Sequence, residues 1–317
     1  MPTQYAYFQK RIVPLEEARV PVMTHAFLYG TGVFEGIRGN WSDNRGEILL
    51  FRAREHFERL KMSAQIMHIG LQHSVDELMD ICERVVAMCG YREDVYIRPI
   101  AYKSGQVIGP RMHDVDDDYL MFVMPFGNYL DLDAGIRCQT STWRRVPDTS
   151  IPARAKVTGL YVNSALAKTE AMQNGFDEAI MLNDDGHVSE GSGENIVILR
   201  HGRLITPERS DNVLEGITLQ SVMQLAKEEL GLEVIERTID RTELYVADEV
   251  FLTGTAAHLS PVIEIDRRKV GDGGIGPVTA KLQKLFFDCL RGRNAKYSAW
   301  VHPVVPASEP ARAEIKA

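Results

Sequence analysis

Apolar positions along this chain repeat with two different periods, and each period predicts a different element. Phe57, Leu60, Ala64 and Met67 recur every three or four residues. That spacing lines one face of an α-helix, so a helix is expected over Arg54–Ile69. A second helix is expected from about Val75 to Met88, stopped by Gly90. Val95–Ala101 and Tyr119–Met124 are instead β-rich runs suited to central strands of one sheet.

The pattern changes after Pro125. Gly127, Asn128, Asp131, Asp133 and Gly135 make a polar, turn-rich stretch that reads as a linker. Beyond it short strands dominate: Ile136–Thr142, Glu178–Leu182, Asn195–Leu199, Val234–Ile239 and Glu249–Leu252. Helices are expected near Leu160–Gln173, Thr218–Leu230 and Val278–Leu290. The predicted organisation is therefore α+β in two domains. Residues 1–125 form a small N-terminal domain, 126–135 the linker, and 136–303 a larger strand-rich C-terminal domain. The Pro- and Ala-rich tail, 304–317, is expected to be disordered.

With 317 residues, 44% hydrophobic and 25% charged, the chain can bury a core for about two domains. Its formal charge of -8 is spread along the sequence, and no basic cluster interleaved with aromatics appears, which argues against nucleic acid. The N-terminal MPTQYAYFQKRIV lacks the apolar stretch of a signal peptide. The longest apolar run, Tyr119–Phe126, is far short of the ~20 residues a membrane helix needs. A cytoplasmic protein is expected. Cys82, Cys89, Cys138 and Cys289 form neither C-x-x-C nor a zinc pattern, and they read as inert core thiols in a reducing compartment. No metal constellation is visible.

Four features carry candidate chemistry. Lys156, in PARAKVTGLY, lies between a Pro-containing loop and a helix expected to begin near Gly159. A lysine nucleophile must lose its proton, and at a free pKa near 10.4 only about one in a thousand is reactive at neutral pH. Burial beside apolar groups such as Ile151 and Val157 would supply the needed depression. Alone, any lysine is more often a solvated surface charge. The second feature is VSEGSGENIV, in which Glu190 enters a turn through Gly191 and Gly193. A carboxylate there could pair with a protonated pyridine nitrogen, or could simply sit in a β-turn. The third is LEGIT, whose Gly216, Ile217 and Thr218 open a helix. Unpaired N–H groups at a helix start make an anion site, although a lone G-x-T is more often an ordinary turn. The fourth is FLTGTAAHLSPV, where a strand runs into Gly254, Thr255, Ala256 and Ala257, small enough for a ligand to rest on the main chain. Together they offer an amine, an acid for a ring nitrogen, and two sites for anionic groups.

With these motifs the chain resembles the class IV (fold-type IV) pyridoxal-phosphate aminotransferases over nearly its whole length, and the branched-chain amino-acid aminotransferases in particular. The class signature is matched by Glu190, Ser192 and Asn195, then Leu204 and Thr206, then Leu214, Gly216 and Ile217. Val197 and Leu219 depart from it, at positions that are not catalytic. The resemblance implies a D-amino-acid aminotransferase-like fold with the active site between the two domains. It implies that Lys156 binds pyridoxal 5'-phosphate covalently and shuttles a proton. Tyr161 would meet the cofactor's phenolic oxygen and Glu190 its ring nitrogen. Arg59 would clamp the phosphate, with Gly216, Ile217, Thr218 and Thr255 adding contacts.

For substrate, the resemblance assigns Tyr96 in VYIRP to the α-carboxylate, with the main chain of Thr255, Ala256 and Ala257, and Arg98 to the distal carboxylate of glutamate or 2-oxoglutarate. Phe34, Gly36 and Arg38 in VFEGIRG would border the side-chain pocket, with Tyr129, and with Tyr29 and Val107 from a partner subunit. At least a homodimer is thus implied. His25, His56 and His68 read as structural, because transamination needs no base beyond the lysine. The implied reaction moves an amino group from L-leucine, L-isoleucine or L-valine to 2-oxoglutarate. The alternatives on the same fold are D-amino-acid or (R)-amine transamination.

Overall fold

In the computed structural model, residues 4–127 and 130–307 are described. Compactness divides the chain into two units, and no single cut separates them. The first comprises Met1–Gly127, Ala155–Gly159 and Cys289–Ala317; the second comprises Asn128–Arg154 and Leu160–Asp288. The expected boundaries assign residues 155–159 and 289–303 to the C-terminal domain. Long-range strand pairing, described below, gathers them into the first unit instead.

Seven strands come first: β1 (Tyr5–Phe8), β2 (Arg11–Pro14), β3 (Gly32–Phe34), β4 (Ile37–Ser42), β5 (Glu47–Phe51), β6 (Val95–Lys103) and β7 (Asp117–Pro125). The second unit holds β8 (Ile136–Arg144), β9 (Glu178–Leu182), β10 (Val188–Gly191), β11 (Asn195–Arg200), β12 (Arg203–Thr206), β13 (Val234–Glu236), β14 (Glu249–Gly254), β15 (His258–Ile265) and β16 (Arg268–Lys269). A last strand, β17 (Val301–Val304), returns to the first unit. The helices are α1 (His25–Tyr29), α2 (Ala53–Ile66), α3 (Val75–Cys89), α4 (Tyr161–Gln173), α5 (Ile217–Leu230) and α6 (Pro277–Leu290).

The first unit's sheet runs β17-β5-β4-β6-β7-β1-β2, with β3 added on β6, and its pairs are antiparallel. Its backbone is the long β6–β7 ladder, from Val95 opposite Pro125 to Lys103 opposite Asp117. Most of β6 is buried, which explains its nearly continuous apolar sequence. Helices α2 and α3 pack on each other, and α3 packs on β1 and β7. The apolar stripe of α3, including Leu78, Cys82, Val85 and Val86, is fully buried. This helix starts in a capping box of Ser74 and Glu77 and stops at Gly90, whose φ of 65° suits glycine.

Some expectations needed correction here. The short strands β1–β5 fall where periodicity assigned nothing, because runs of three to six residues are too brief to show a period. Helix α2 ends three residues before the expected Ile69, at Ile66, where His68 turns to φ 49°. The strand expected over Val234–Ile239 stops at Glu236. The tail expected to be disordered begins with ordered residues: Val304 lies in β17, and the Ala307 N–H donates to the Ala87 carbonyl at 2.9 Å. Residues 308–317 of that tail lie outside the described residues.

The second unit's sheet runs β10-β9-β8-β15-β14-β11-β12-β13, with β16 on β15. It is mixed, since β8 runs parallel to both β9 and β15, and β12 parallel to β13. One core cluster joins Ile196, Ile198, Val250, Leu252 and Val262 of its middle strands to Ile180 and Val188. Helix α4 lies on β8 and β9 through Ala167 and Ala171, small residues that let it approach Ala179 and Met181 closely. All four cysteines are buried thiols. Burial pushes Cys89 up to about 11 and Cys138 well above the ordinary thiol range, so neither is nucleophilic at neutral pH.

Candidate active site

Lys156 is held to the first unit by its own backbone. Its carbonyl accepts from the Phe34 N–H at 3.0 Å, and Val157 forms an antiparallel bridge with Val33. Thr158 Oγ1 donates to the Gly30 carbonyl at 2.8 Å and accepts from the Gly32 N–H at 3.2 Å. The Gly159 N–H donates to Gly30 at 3.1 Å. At Gly30 (φ 66°) an added Cβ would come within 2.8 Å of Gly159 Cα, so this lacing requires glycine. Finally, the Lys156 N–H donates to Ser63 Oγ of α2 at 3.2 Å. The segment is thus tied to β3 by a single bridge and these hydrogen bonds, which is why it leaves the second unit.

The side chain of Lys156 is half-buried, with Nζ 5.2 Å from the centre of the Phe34 ring. Arg98 also lies against that ring, its Cζ 4.2 Å from the centre, and its Nη2 donates to Tyr96 Oη at 2.9 Å. Arg98 Nε is buried with no hydrogen-bond partner among the described residues. Gly36 is what admits Tyr96: a Cβ there would sit 2.0 Å from the tyrosine oxygen. Phe34, Gly36, Tyr96, Arg98 and Lys156 are therefore brought together, on β3, β4's entry, β6 and the added segment. Arg38 has another task. Buried at 1% exposure, it donates to the carbonyls of Phe126 (2.6 Å) and Gly127 (2.7 Å), fixing the chain where β7 ends. Burial lowers its pKa to about 10.

Arg59 sits on the buried face of α2. Its Nε and Nη2 each donate to Glu35 at 2.7 Å, and His56 Nδ1 lies 2.8 Å from the same carboxylate. Burial alone would raise the pKa of Glu35. The Arg59 guanidinium, with hydrogen bonds from Arg59 and His56, overrides it and holds the carboxyl far below its ordinary range. Burial lowers the pKa of His56 despite the carboxylate beside it. His25 is likewise built in, bonded to Thr31 Oγ1 and the Gly109 carbonyl.

Tyr29 and Val107 lie on one surface of this unit, joined by the Gly109 N–H donating to Tyr29 Oη at 2.9 Å. On these segments Phe27 (74%) and Ile108 (77%) are exposed, as is Val22 (77%) shortly before α1.

In the second unit, Glu190 lies next to the last residue of β10. One carboxylate oxygen is 2.6 Å from Arg145 Nη2; the other accepts from Asn195 Nδ2 (3.1 Å) and the Leu214 N–H (3.0 Å). Both Glu190 and Arg145 are about 5% exposed. Asn195 reaches back to the LEGIT segment, donating to the Leu214 carbonyl at 2.9 Å, and its Oδ1 would lie 1.9 Å from a Cβ at Gly216. Gly216 caps α5 without any side-chain hydrogen bond, and Ile217 and Thr218 form the buried first turn. Thr255, Ala256 and Ala257 make the turn between β14 and β15, and Tyr161 opens α4. Tyr129 lies outside the described residues. Among the described residues no group of three or more His, Cys, Asp or Glu could hold a metal ion, and no helix is long and apolar enough to cross a membrane.

The predicted residues thus fall into two sets, one in each unit. Sequence reasoning missed Glu35, Ser63 and Arg145. The signal for Glu35 was a charge flanked by apolar residues in VFEGI; nothing local marked Ser63 or Arg145.

The family model for amino-transferase class IV matches residues 32–265. The chain belongs to the class IV aminotransferases. It is 50% identical over 300 residues to the protein of Aquifex aeolicus named "Probable branched-chain-amino-acid aminotransferase", covering 95% of this chain and 96% of that one. Among solved structures, the branched-chain aminotransferase of Thermoproteus uzoniensis with norvaline superposes with a TM-score of 0.91 at 42% identity, covering 95% of this chain and 99% of that one. The branched-chain amino acid aminotransferase of Thermobaculum terrenum in its PLP-form (holo-form) also gives 0.91, at 38% identity, covering 95% of this chain and 98% of that one. This class IV aminotransferase thus has the α+β fold that its sequence implied, built on two sheets.

Proposed function

We propose that the chain is a pyridoxal-phosphate-dependent branched-chain amino-acid aminotransferase. It transfers the amino group of L-leucine, L-isoleucine or L-valine to 2-oxoglutarate, leaving a branched-chain 2-oxo acid and L-glutamate. The observation that carries this reading is the cluster of Lys156, Phe34, Tyr96 and Arg98: an amine beside an aromatic wall with one arginine at its edge. One pocket must accept an apolar side chain in the first half-reaction and a carboxylate in the second. Phe34 offers apolar surface to the former. The Nε of Arg98, with no partner among the described residues, suits an anion.

The residues fit the cofactor on chemical grounds. A carboxylate has about four acceptor positions, and the three N–H groups already on Glu190 leave room for a ring N–H. The uncapped start of α5 offers backbone N–H groups to a phosphate. When bound, pyridoxal phosphate supplies an aldehyde that takes up the amino group and a ring that draws electrons from the substrate's α-carbon. Lys156 holds that aldehyde and afterwards carries the proton to and from the α-carbon. Glu190 pairs with the ring nitrogen and Tyr161 with the phenolic oxygen. Arg59, Gly216, Ile217, Thr218 and Thr255 hold the phosphate. Tyr96, with the main chain of Thr255, Ala256 and Ala257, receives the α-carboxylate. Arg38 fixes the end of β7 through the Phe126 and Gly127 carbonyls.

The exposed side chains of Phe27 and Ile108, on segments joined by the Gly109–Tyr29 hydrogen bond, support a homodimer in which Tyr29 and Val107 complete the partner's pocket. The four buried thiols suit a cytoplasmic enzyme.

Purified protein should show visible absorbance from lysine-bound cofactor, lost together with transamination in Lys156→Ala. Colour and activity surviving in that variant refute the assignment of the lysine. Assays with L-leucine, D-alanine and (R)-1-phenylethylamine as donors should find activity on L-leucine. Activity confined to either of the others moves the enzyme to a different specificity on the same fold.

A further inference from the structure

Helix α2 presents His56, Arg59 and Ser63 at i, i+3 and i+7, a spacing that stacks side chains along one helix face, and all three are buried. Two contacts of that face bear on the site. Ser63 Oγ receives the Lys156 N–H at 3.2 Å. Arg59 and His56 close on Glu35, which is 0% exposed. Glu35 is rigid in turn. Its N–H donates to the Pro99 carbonyl at 3.0 Å, and its neighbour Phe34 is bonded through its own N–H to the Lys156 carbonyl.

A fully buried carboxylate is costly unless paired and hydrogen-bonded. A salt bridge needed only for packing could be replaced by apolar groups of similar volume. Here the pair is bidentate, through Nε and Nη2, which fixes the plane of the guanidinium as well as its position. Holding one edge of a planar fork of five donors orients the rest of the fork.

We propose that Glu35, steadied by His56, is a positioning residue. It sets the plane of Arg59 for the phosphate of the cofactor, in the same rigid frame that carries Lys156. This rests on the pyridoxal-phosphate reading above and goes beyond it by naming the group that controls the phosphate grip. Glu35 brings a negative charge near an anion, so the inference commits to orientation outweighing that repulsion.

The test compares two aldehydes, pyridoxal phosphate and pyridoxal, which differ only in the phosphate. Holoenzyme and its Glu35→Gln variant are stripped of cofactor and titrated with each, following the visible absorbance of the lysine-bound aldehyde. Glutamine keeps the volume but presents a single oxygen, so it cannot hold Nε, Nη2 and His56 at once. The dissociation constant for pyridoxal phosphate should rise about tenfold or more, the scale seen when outer-shell partners of a bound metal are removed. That for pyridoxal should change less than about twofold. Equal weakening of both aldehydes makes Glu35 merely structural and overturns the inference, as does unchanged or tighter binding of pyridoxal phosphate. If Glu35→Gln does not fold, Glu35→Asp, which keeps the charge but falls one methylene short of the bidentate pair, is judged by the same ratio. A wild-type chain that binds neither aldehyde at Lys156 defeats the cofactor reading itself. One that binds both but keeps its ratio in the variant defeats only the role of Glu35.

Discussion

Glu194 shows how far a single residue's surroundings can move its chemistry. It is buried beside β10 and β11, and burial, reinforced by the neighbouring Glu178 carboxylate, pushes its carboxyl up to about 8. Between the ordinary carboxyl range and that value the folded protein keeps a proton that the unfolded chain has released. Stability contributed by this group is therefore complete at low pH and is lost as pH rises from about 4.5 to about 8, by at most ~1.4 kcal/mol per pH unit. Glu194→Gln should flatten that slope in denaturant titrations at pH 5, 6, 7 and 8; an unchanged slope shows that the carboxyl is ionised in the fold. At Gly36 the constraint is steric. Gly36→Ala would force Tyr96 away from the new Cβ and break its bond to Arg98. Steady-state kinetics should show KM rising about tenfold or more for L-leucine and 2-oxoglutarate alike, since misplacement by about 1 Å is severe in an ordered site.

At the scale of elements, regular apolar spacing made the helices legible. Helix α3 was expected over Val75–Met88 and spans Val75–Cys89, and α5 and α6 each begin one residue before their expected start. Their boundaries follow local chemistry. Ser74 accepts the Glu77 N–H at 3.2 Å, and the Glu77 carboxylate accepts the Ser74 N–H at 2.6 Å. Ser74→Ala removes half of this box and should cost about 1 kcal/mol, measured by thermal or urea unfolding. No loss would place the start of α3 under tertiary packing alone. The short strands were opaque for the opposite reason. A run such as Gly32–Phe34 has no period, and it becomes a strand only because Tyr102, Ala101 and Ile100 lie opposite it.

At the scale of the whole molecule, the last strand and the lysine are placed by distant partners. Strand β17 lies against β5, with Val301 opposite Phe51 and Val304 opposite Ile48. Arg291 grips Asp94 through two bonds of 2.6 and 2.7 Å. These contacts draw residues 291–304 to the first unit, where the expected boundaries place all but the last of them in the C-terminal domain. The apolar surface bearing Phe27 and Ile108 belongs to this scale as well. The double variant Phe27→Asp with Ile108→Asp should sediment as a monomer and lose most of its transaminase activity. If it stays a dimer, or works as a monomer, the pocket is not shared between copies.

Residue chemistry and spacing alone sufficed for the α+β class and the glycine-opened helix start at Gly216, and they marked Lys156 and Glu190 as candidates. Each of these depends on groups close together in the chain, so a short window contains its signal. What only the tertiary structure decided was the company those groups keep. Lys156 is bridged to β3, Arg59 is paired with Glu35, Glu190 is held by Arg145, and Arg38 turns to backbone carbonyls. The partners in these pairs lie between 24 and 122 residues apart in the chain. Burial and strand pairing bring them together, and no local pattern records that distance.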